Sequence, residues 1–273
     1  MSTGVLFWNV HRKELGREIA TICEEKGIGI LCLAECPNPN NLHESWLNGY
    51  KRIETLYEIN QNLCIFYKLS DLELEQKEEH PKQRVVLLNL NRVRNENILV
   101  AFLHLNSKLW KRESDLRLTA GIVKRWLDQR EKIYGGKLMV VGDFNMNPFD
   151  PGMIAPDGFN AVLHSQVAKK RVRKISTEYY SYFYNPMWSY LGDRNYQDGS
   201  AKVAGSYYYS RSTDSNCVFW NMFDKVILRP ELTDDFNFES LDYITHINGD
   251  NLLRNGRPHK SKYSDHLPLY FRI

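Results

Sequence analysis

The chain has 273 residues, of which 42% are hydrophobic and 25% charged, with a net charge of +3 and a pI near 8.5. This is an ordinary globular composition with enough apolar content for a substantial core, and it excludes a disordered or fibrous chain. No apolar run approaches the ~20 residues that span a bilayer. The start, Met1-Ser2-Thr3-Gly4 leading straight into Val5, lacks the basic-then-apolar layout of a secretory signal. Five cysteines, Cys23, Cys32, Cys36, Cys64 and Cys217, are odd in number and unevenly spread. They read as free thiols in a reducing cytoplasm rather than as a disulfide framework or zinc knuckle. The small positive excess permits a polyanionic partner without requiring one.

In chain order, Val5–Val10 and Ile28–Ala34 read as buried strands. Between them Leu15, Ile19, Ile22 and Cys23 recur at helical spacing. Strands are predicted at Leu63–Tyr67, Val85–Leu90 and Ile98–Leu105. A second amphipathic helix follows over about Ser114–Lys132, with Leu116, Ala120, Val123 and Leu127 on one face. Leu138–Val141 reads as another buried strand. Residues from about 150 to 206 are rich in Tyr, Asn, Gly and Pro without a sustained period, and read as a long loop insertion with at most a short helix. Loops of that length inside a compact chain are usually functional or mobile. Strands return at Ser206–Ser210, Phe223–Leu228 and Leu267–Ile273. With no internal repeat and no flexible linker, the pattern predicts one domain, 1–273, built as a mixed α/β layered sandwich.

Several apolar strands end in polar groups suited to metal or phosphate chemistry. The first ends at Asn9 and the second at Glu35. The Ile98 strand carries His104 and Asn106 on the face of Val100 and Phe102, the Leu138 strand runs into Gly142-Asp143-Phe144-Asn145, and Ser264-Asp265-His266 introduces the last strand. Singly, each has a dull explanation as a turn former or a satisfied histidine. Together they supply what metal-assisted phosphoester hydrolysis requires. Carboxylates can hold a hard cation, neutral amides can meet phosphate oxygens, and imidazoles can move protons. Clustered His and Cys ligands for zinc are absent, as is a Ser-His-Asp arrangement.

The order Asn9, Glu35, His104, Gly142-Asp143-Phe144-Asn145, Asp224 and Ser264-Asp265-His266 resembles the endonuclease/exonuclease/phosphatase superfamily, and the resemblance runs from residue 5 to residue 272. It implies a four-layered α-β-β-α sandwich, two mixed sheets flanked by helices, with the site where the sheets meet at one edge. It further implies that Glu35 is the principal Mg²⁺ ligand, helped by Asn9 and Asp265, with Mn²⁺ able to substitute. His266 would be the general base, oriented by Asp224. Asp143 and Asn145 would position the water and the scissile phosphate, and His104 would contact the phosphate or assist the leaving group. His104-Leu105-Asn106-Ser107 is closer to the deoxyribonuclease I, deadenylase and phosphodiesterase branches than to exonuclease III. Glu58 is the only acidic candidate near Tyr57–Lys68 for a partner to His104.

Two features bear on substrate. Lys169, Lys170, Arg171, Arg173 and Lys174 place five cations within six residues, and Tyr179, Tyr180, Tyr182, Phe183, Tyr184, Trp188, Tyr190 and Tyr196 follow. Cations beside aromatics suit a single-strand stacking platform, and equally a solvated run beside a self-burying loop. The expectation is a metal-dependent nuclease acting on DNA or RNA. Asn106, Lys169, Lys170, Arg171 and Arg173 are the candidate substrate contacts, the last four on the segment from Lys169 to Tyr196, which is expected to emerge near the site. A phosphatase or phospholipase-like enzyme on a small phosphoester is the alternative.

Overall fold

The computed structural model describes residues 3–69, 72–92, 97–107, 112–194, 202–210 and 217–273. Tyr196 lies outside them. Strand β1 (Gly4–Asn9) leads through helix α1 (Gly16–Lys26) to β2 (Ile28–Ala34), helix α2 (Pro39–Trp46), β3 (Lys51–Ile53) and β4 (Leu63–Tyr67). Then come β5 (Leu72–Glu79), β6 (Val85–Arg92), β7 (Asn97–His104), helix α3 (Glu113–Tyr134) and β8 (Lys137–Asp143).

Two mixed sheets form the middle of the molecule. The first has six strands in the order Asn237–Tyr243, Leu269–Arg272, β1, β2, β4, β3. The second has seven, in the order β5, β6, β7, β8, Asp224–Leu228, Phe183–Tyr184, Ala161–Val162. β1 and β2 run parallel, as do β7 and β8. Parallel neighbours need a crossover, and α1 and α3 provide one for each pair. The two-residue strand period then sorts the side chains. Leu99, Ala101 and Leu103 of β7 cluster with Leu116, Ala120, Val123 and Leu127 of α3, whereas Ile98, Val100 and Phe102 join the core shared with the first sheet. On α1, Ile19 and Ile22 are buried against the first sheet, each contributing about 1.5–3 kcal/mol. β1, covered on both faces, is buried throughout. The layers therefore run helix, sheet, sheet, helix, as expected. Among the described residues no helix is long and apolar enough to cross a membrane.

The elements that sequence reading misses are those with little apolar period. β5, Leu-Glu-Leu-Glu-Gln-Lys-Glu-Glu, and Asn237–Tyr243 are edge strands, where charge is tolerated because it discourages further pairing. The stretch read as a long loop also holds more order than expected. Val172–Ile175 and Glu178–Ser181 pair as a hairpin, and Phe183–Tyr184 and Ala161–Val162 extend the second sheet. Strands of two residues are too short to show a period.

The turn from β5 to β6 is closed by a neutral histidine. His80 Nδ1 accepts the backbone N–H groups of Lys82 and Gln83, each at 3.1 Å, and its ring packs on Trp126. Burial, with the charges of Arg130 and Lys82, holds its pKa below the ordinary 6.5. The unfolded chain therefore takes up the proton first. The stabilisation is complete above about pH 6.5 and is lost as the pH falls toward the folded-state value. His80→Asn keeps an acceptor in the same turn but cannot titrate. Melting curves from about pH 8 to pH 5 are expected to drop further for the wild type than for this variant. Parallel curves would remove the assignment.

Candidate active site

One edge of the sandwich collects the polar strand ends, and register explains why. The parallel pair β1 and β2 ends together, Asn9 opposite Ala34, so that Glu35 follows immediately. The parallel pair β7 and β8 ends with His104 opposite Asp143. The antiparallel strand Asp224–Leu228 begins there, with Asp224 opposite Asp143. His266 lies just ahead of Leu269–Arg272, which runs antiparallel to β1. Residues far apart in sequence thus meet around one cavity of about 710 Å³. Asn9, Glu35, His104, Asp143, Asn145, Asp265 and His266 all line it.

His266 and Asp224 form a buried pair, with Nδ1 2.6 Å from Asp224 Oδ2. The main chain at His266 is fixed on three sides. Its N–H donates to Ser264 Oγ at 3.1 Å, its carbonyl accepts Trp8 Nε1 at 2.9 Å, and Ser264 Oγ donates to the carbonyl of Asn9 at 2.6 Å. The aspartate is set by its own N–H donating to Ser206 Oγ at 3.1 Å and by Tyr243 Oη donating to its carbonyl at 2.6 Å. Burial opposes a proton on His266. The carboxylates of Asp224, Asp143 and Asp265 outweigh it and push the imidazole up to about 10.

Opposite this pair, Asn9 Nδ2 lies 3.2 Å from Asp143 Oδ2 and 3.4 Å from Glu35 Oε1. His104 Nε2 faces the same two oxygens at 3.8 and 3.7 Å. Burial drives His104 down to about 4 against the pull of Asp143, so its ring is neutral. Burial, then the charge of Asp224, raises the Asp143 carboxyl above its ordinary value. Asp143 Oδ1 accepts the Asn145 N–H at 2.8 Å, and Asn145 Nδ2 donates to the carbonyl of Leu105 at 2.9 Å. Glu35 and Asn145, with φ of 55° and 51°, sit in the left-handed region. That conformation costs of order 1–3 kcal/mol in a non-glycine residue and recurs at functional sites.

These groups fit a hard divalent cation. Two carboxylates from different sheets converge on one buried amide, and a cation relieves their like charge while taking oxygen ligands. A second grouping, Asp143, Asp224 and His266, brings ligand atoms within 4.8 Å of one another. It suits a metal less well, because Asp224 and His266 are already committed to each other. Asp265 lines the cavity with its carboxylate 3.5 Å from His11 Nδ1.

The remaining expectations fare differently. Asn106 does not line the cavity; its Oδ1 accepts Arg84 Nη2 at 2.8 Å. None of Lys169, Lys170, Arg171 and Arg173 lines it either. Lys169 pairs with Asp234 at 2.8 Å and Arg171 with Glu231 at 3.1 Å. The segment docks through Tyr184 opposite Leu228, the far end of the strand that begins at Asp224, about 13 Å along that strand at 3.3 Å per residue. Glu58 is exposed in a short helical turn and is not a partner of His104, whose Nδ1 has no hydrogen-bond partner among the described residues.

Sequence reading overlooked several supports. Asn147 Oδ1 accepts the Met222 N–H at 2.9 Å and its Nδ2 donates to Asn221 Oδ1 at 2.9 Å. Buried Lys225 donates to the carbonyls of Met146 and Phe223 at 2.7 and 3.0 Å. Together they tie the Asp143 turn to the strand bearing Asp224. Tyr207 also lines the cavity, its ring 4.7 Å from that of His266.

Gly142 is the one position beside Asp143 that admits no side chain. Its φ is 148°, and a Cβ would lie 1.9 Å from the carbonyl oxygen of Leu103. Gly142→Ala is expected to cost on the order of 4 kcal/mol and to lower Tm steeply. A variant melting within a few degrees of the wild type would contradict this reading.

The fold is that of the endonuclease/exonuclease/phosphatase superfamily. An endonuclease/exonuclease/phosphatase family protein from Bacteroides thetaiotaomicron is similar with a TM-score of 0.61 and 13% identity, over 100% of this chain and 94% of that one. TDP2 from D. rerio, solved with a single-strand DNA product, is similar with a TM-score of 0.60 and 14% identity, over 99% and 98% of the two chains. A mannosyl-6-phosphatase from Bacteroides thetaiotaomicron VPI-5482 has a TM-score of 0.61 and 14% identity over the full length of both chains. No protein-family model matches the sequence, and no curated protein matches it. At these identities the likeness is one of fold.

Proposed function

We propose that this chain is a single catalytic domain that hydrolyses phosphodiester bonds of DNA or RNA, using Mg²⁺ with Mn²⁺ able to replace it. The observation that carries the reading is the buried His266–Asp224 pair facing Asn9, Glu35 and Asp143 across one cavity. Glu35 and Asp143 would hold the cation, with Asn9 and Asp265 beside them. When bound, the cation polarises a phosphoryl oxygen and stabilises developing charge.

The chain's own residues supply the rest. With the charge of Asp143 offset by the bound cation, the His266 imidazole would lose the proton that the surrounding carboxylates otherwise hold on it, and its Nε2 would then take the proton of the attacking water, while Asp224 holds the ring in place and stabilises it once protonated. Asp143, set by the Asn145 N–H, orients that water, and Asn145 and neutral His104 donate hydrogen bonds to phosphate oxygens or the leaving oxygen. Phe149, Tyr207, Tyr209 and Phe223 line the same cavity and offer faces on which unpaired bases can stack. The single-strand DNA product held by D. rerio TDP2 supports the same substrate class.

A second reading, a small phosphoester substrate, is favoured by one observation. Among the described cavity-lining residues Arg12 is the only lysine or arginine, whereas a backbone-tracking groove is ordinarily rich in both. The mannosyl-6-phosphatase supports it. A Mg²⁺ assay across single-stranded and duplex DNA, RNA, inositol phosphates, sugar phosphates and sphingomyelin separates the two. Turnover of single-stranded nucleic acid at least tenfold above every small ester is expected. The reverse order would replace the first reading with the second.

A further inference from the structure

The cavity has two chemically different ends. At one, the Tyr207 ring lies 4.7 Å from that of His266 and stacks on those of Tyr209 and Phe223, with centroids 6.4 and 5.4 Å away and planes 15° and 23° apart. These rings line the cavity, and so does Arg12 at the other end. Arg12 Nε is 3.9 Å from Glu35 Oε2, and its side chain is 86% exposed. Between the ends lie His266 on Asp224, then Asn9 between Asp143 and Glu35.

The turn that carries Arg12 is built rather than loose. His11 and Arg12 are consecutive non-glycine residues with φ of 47° and 57°, in the left-handed region that residues with side chains rarely adopt. The site itself holds them there. The His11 N–H donates to Asn9 Oδ1 at 3.0 Å, the Arg12 N–H to the carbonyl of Glu35 at 3.0 Å, and the Lys13 N–H to the carbonyl of Val10 at 2.9 Å. His11 Nδ1 also lies 3.5 Å from the Asp265 carboxylate. An exposed ion pair as long as that of Arg12 with Glu35 holds a guanidinium weakly. A phosphate, which accepts two parallel N–H bonds from the guanidinium fork, holds it better.

Among the described lining residues no other lysine or arginine stands beside it. The basic run from Lys169 docks at the far end of Asp224–Leu228, with Lys169 and Arg171 paired to Asp234 and Glu231. A groove that tracks a strand neutralises successive phosphates and covers about 4–16 nucleotides, whereas one arginine meets one phosphate. The cavity volume of about 710 Å³ falls within the ~300–1,000 Å³ that encloses a drug-sized ligand.

We propose that the cavity takes a nucleotide-sized unit of a single strand. One base stacks on the Tyr207 wall, the scissile phosphate lies in the middle, and one further phosphate binds Arg12. Affinity therefore does not grow with strand length. This assignment rests on the nucleic-acid reading and names the part of a strand that is recognised. It also explains why an aromatic wall occurs in a cavity so poor in cations.

The test series is a dinucleoside monophosphate, the same dinucleotide with a 5′ or a 3′ terminal phosphate, and single strands up to about 16 nucleotides, all with Mg²⁺. For the wild type, a terminal phosphate at one end is expected to raise kcat/KM about 10–100-fold, mainly through KM, as a hydrogen bond to a charged group does. Longer strands are expected to level off there. Arg12→Ala is expected to erase the step, Arg12→Lys to keep part of it, and the salt slope to fall by about 0.7 in Arg12→Ala. Calorimetric binding of the same series to His266→Gln is expected to give the same profile without turnover. A kcat/KM that keeps climbing with length would overturn the nucleotide-sized unit. A terminal-phosphate step that survives in Arg12→Ala would overturn the role of Arg12. Both outcomes leave the nucleic-acid reading standing. That reading fails only if no member of the series is cleaved or bound, and the assignment of Arg12 then falls with it.

Discussion

His266→Gln is expected to lower kcat by about two to four orders of magnitude while KM changes little. In the proposed mechanism the ring takes the proton, but the backbone around it is held independently. The N–H to Ser264, the carbonyl to Trp8 and the adjoining strand beside β1 do not involve the imidazole, so circular dichroism and Tm are expected to stay near the wild type. Asp224→Asn is expected to lose less. An amide can still meet Nδ1 but cannot stabilise the imidazolium. Retention of more than about a tenth of the rate in His266→Gln would rule out the histidine as base.

Glu35→Gln is expected to separate metal binding from folding. For the wild type, EDTA is expected to abolish activity and Mg²⁺ or Mn²⁺ to restore it. The variant is expected to need about 10–100-fold more Mg²⁺ for half its maximal rate. A second readout needs no substrate. Ligand that binds only the folded state raises stability, by about 2.7 kcal/mol at a hundred times Kd, so Mg²⁺ is expected to raise the wild-type Tm and to leave the variant nearly unmoved. Without metal the order reverses, because the substitution removes one of two carboxylates meeting at Asn9. Glu35→Gln with wild-type Mg²⁺ dependence in both assays would end the assignment.

How much of this was legible in the sequence depends on burial. β1, β2, β4, β7 and β8 emerged within a residue or two at each end because their apolar runs are packed on both faces. Asn9, Glu35, His104, Asp143 and His266 emerged because each interrupts or closes such a run, where nothing in packing calls for a polar group. Edge strands gave no such signal. The basic run from Lys169 was misplaced for a different reason. Lying between Asp143 and Asp224 in sequence suggested lying near both in space, but the chain returns along the second sheet through Phe183–Tyr184 at the opposite end of the strand. Asn147 and Lys225 were invisible because their contacts are to main-chain groups of distant segments, which no local pattern records.

The strand Leu269–Arg272 is inserted between β1 and Asn237–Tyr243 rather than added at an edge. While the ribosome is still adding the last of these residues, at about 5–20 per second, the first sheet stands open along β1 from Gly4 to Phe7. Asn9 then lines the cavity without His266. Until residues 264–272 are in place the chain has neither a closed first sheet nor the His266–Asp224 pair. Its exposed strand edge is the form most open to wrong pairing with another copy. Closure of the first sheet and the placing of His266 against Asp224 are therefore the same event.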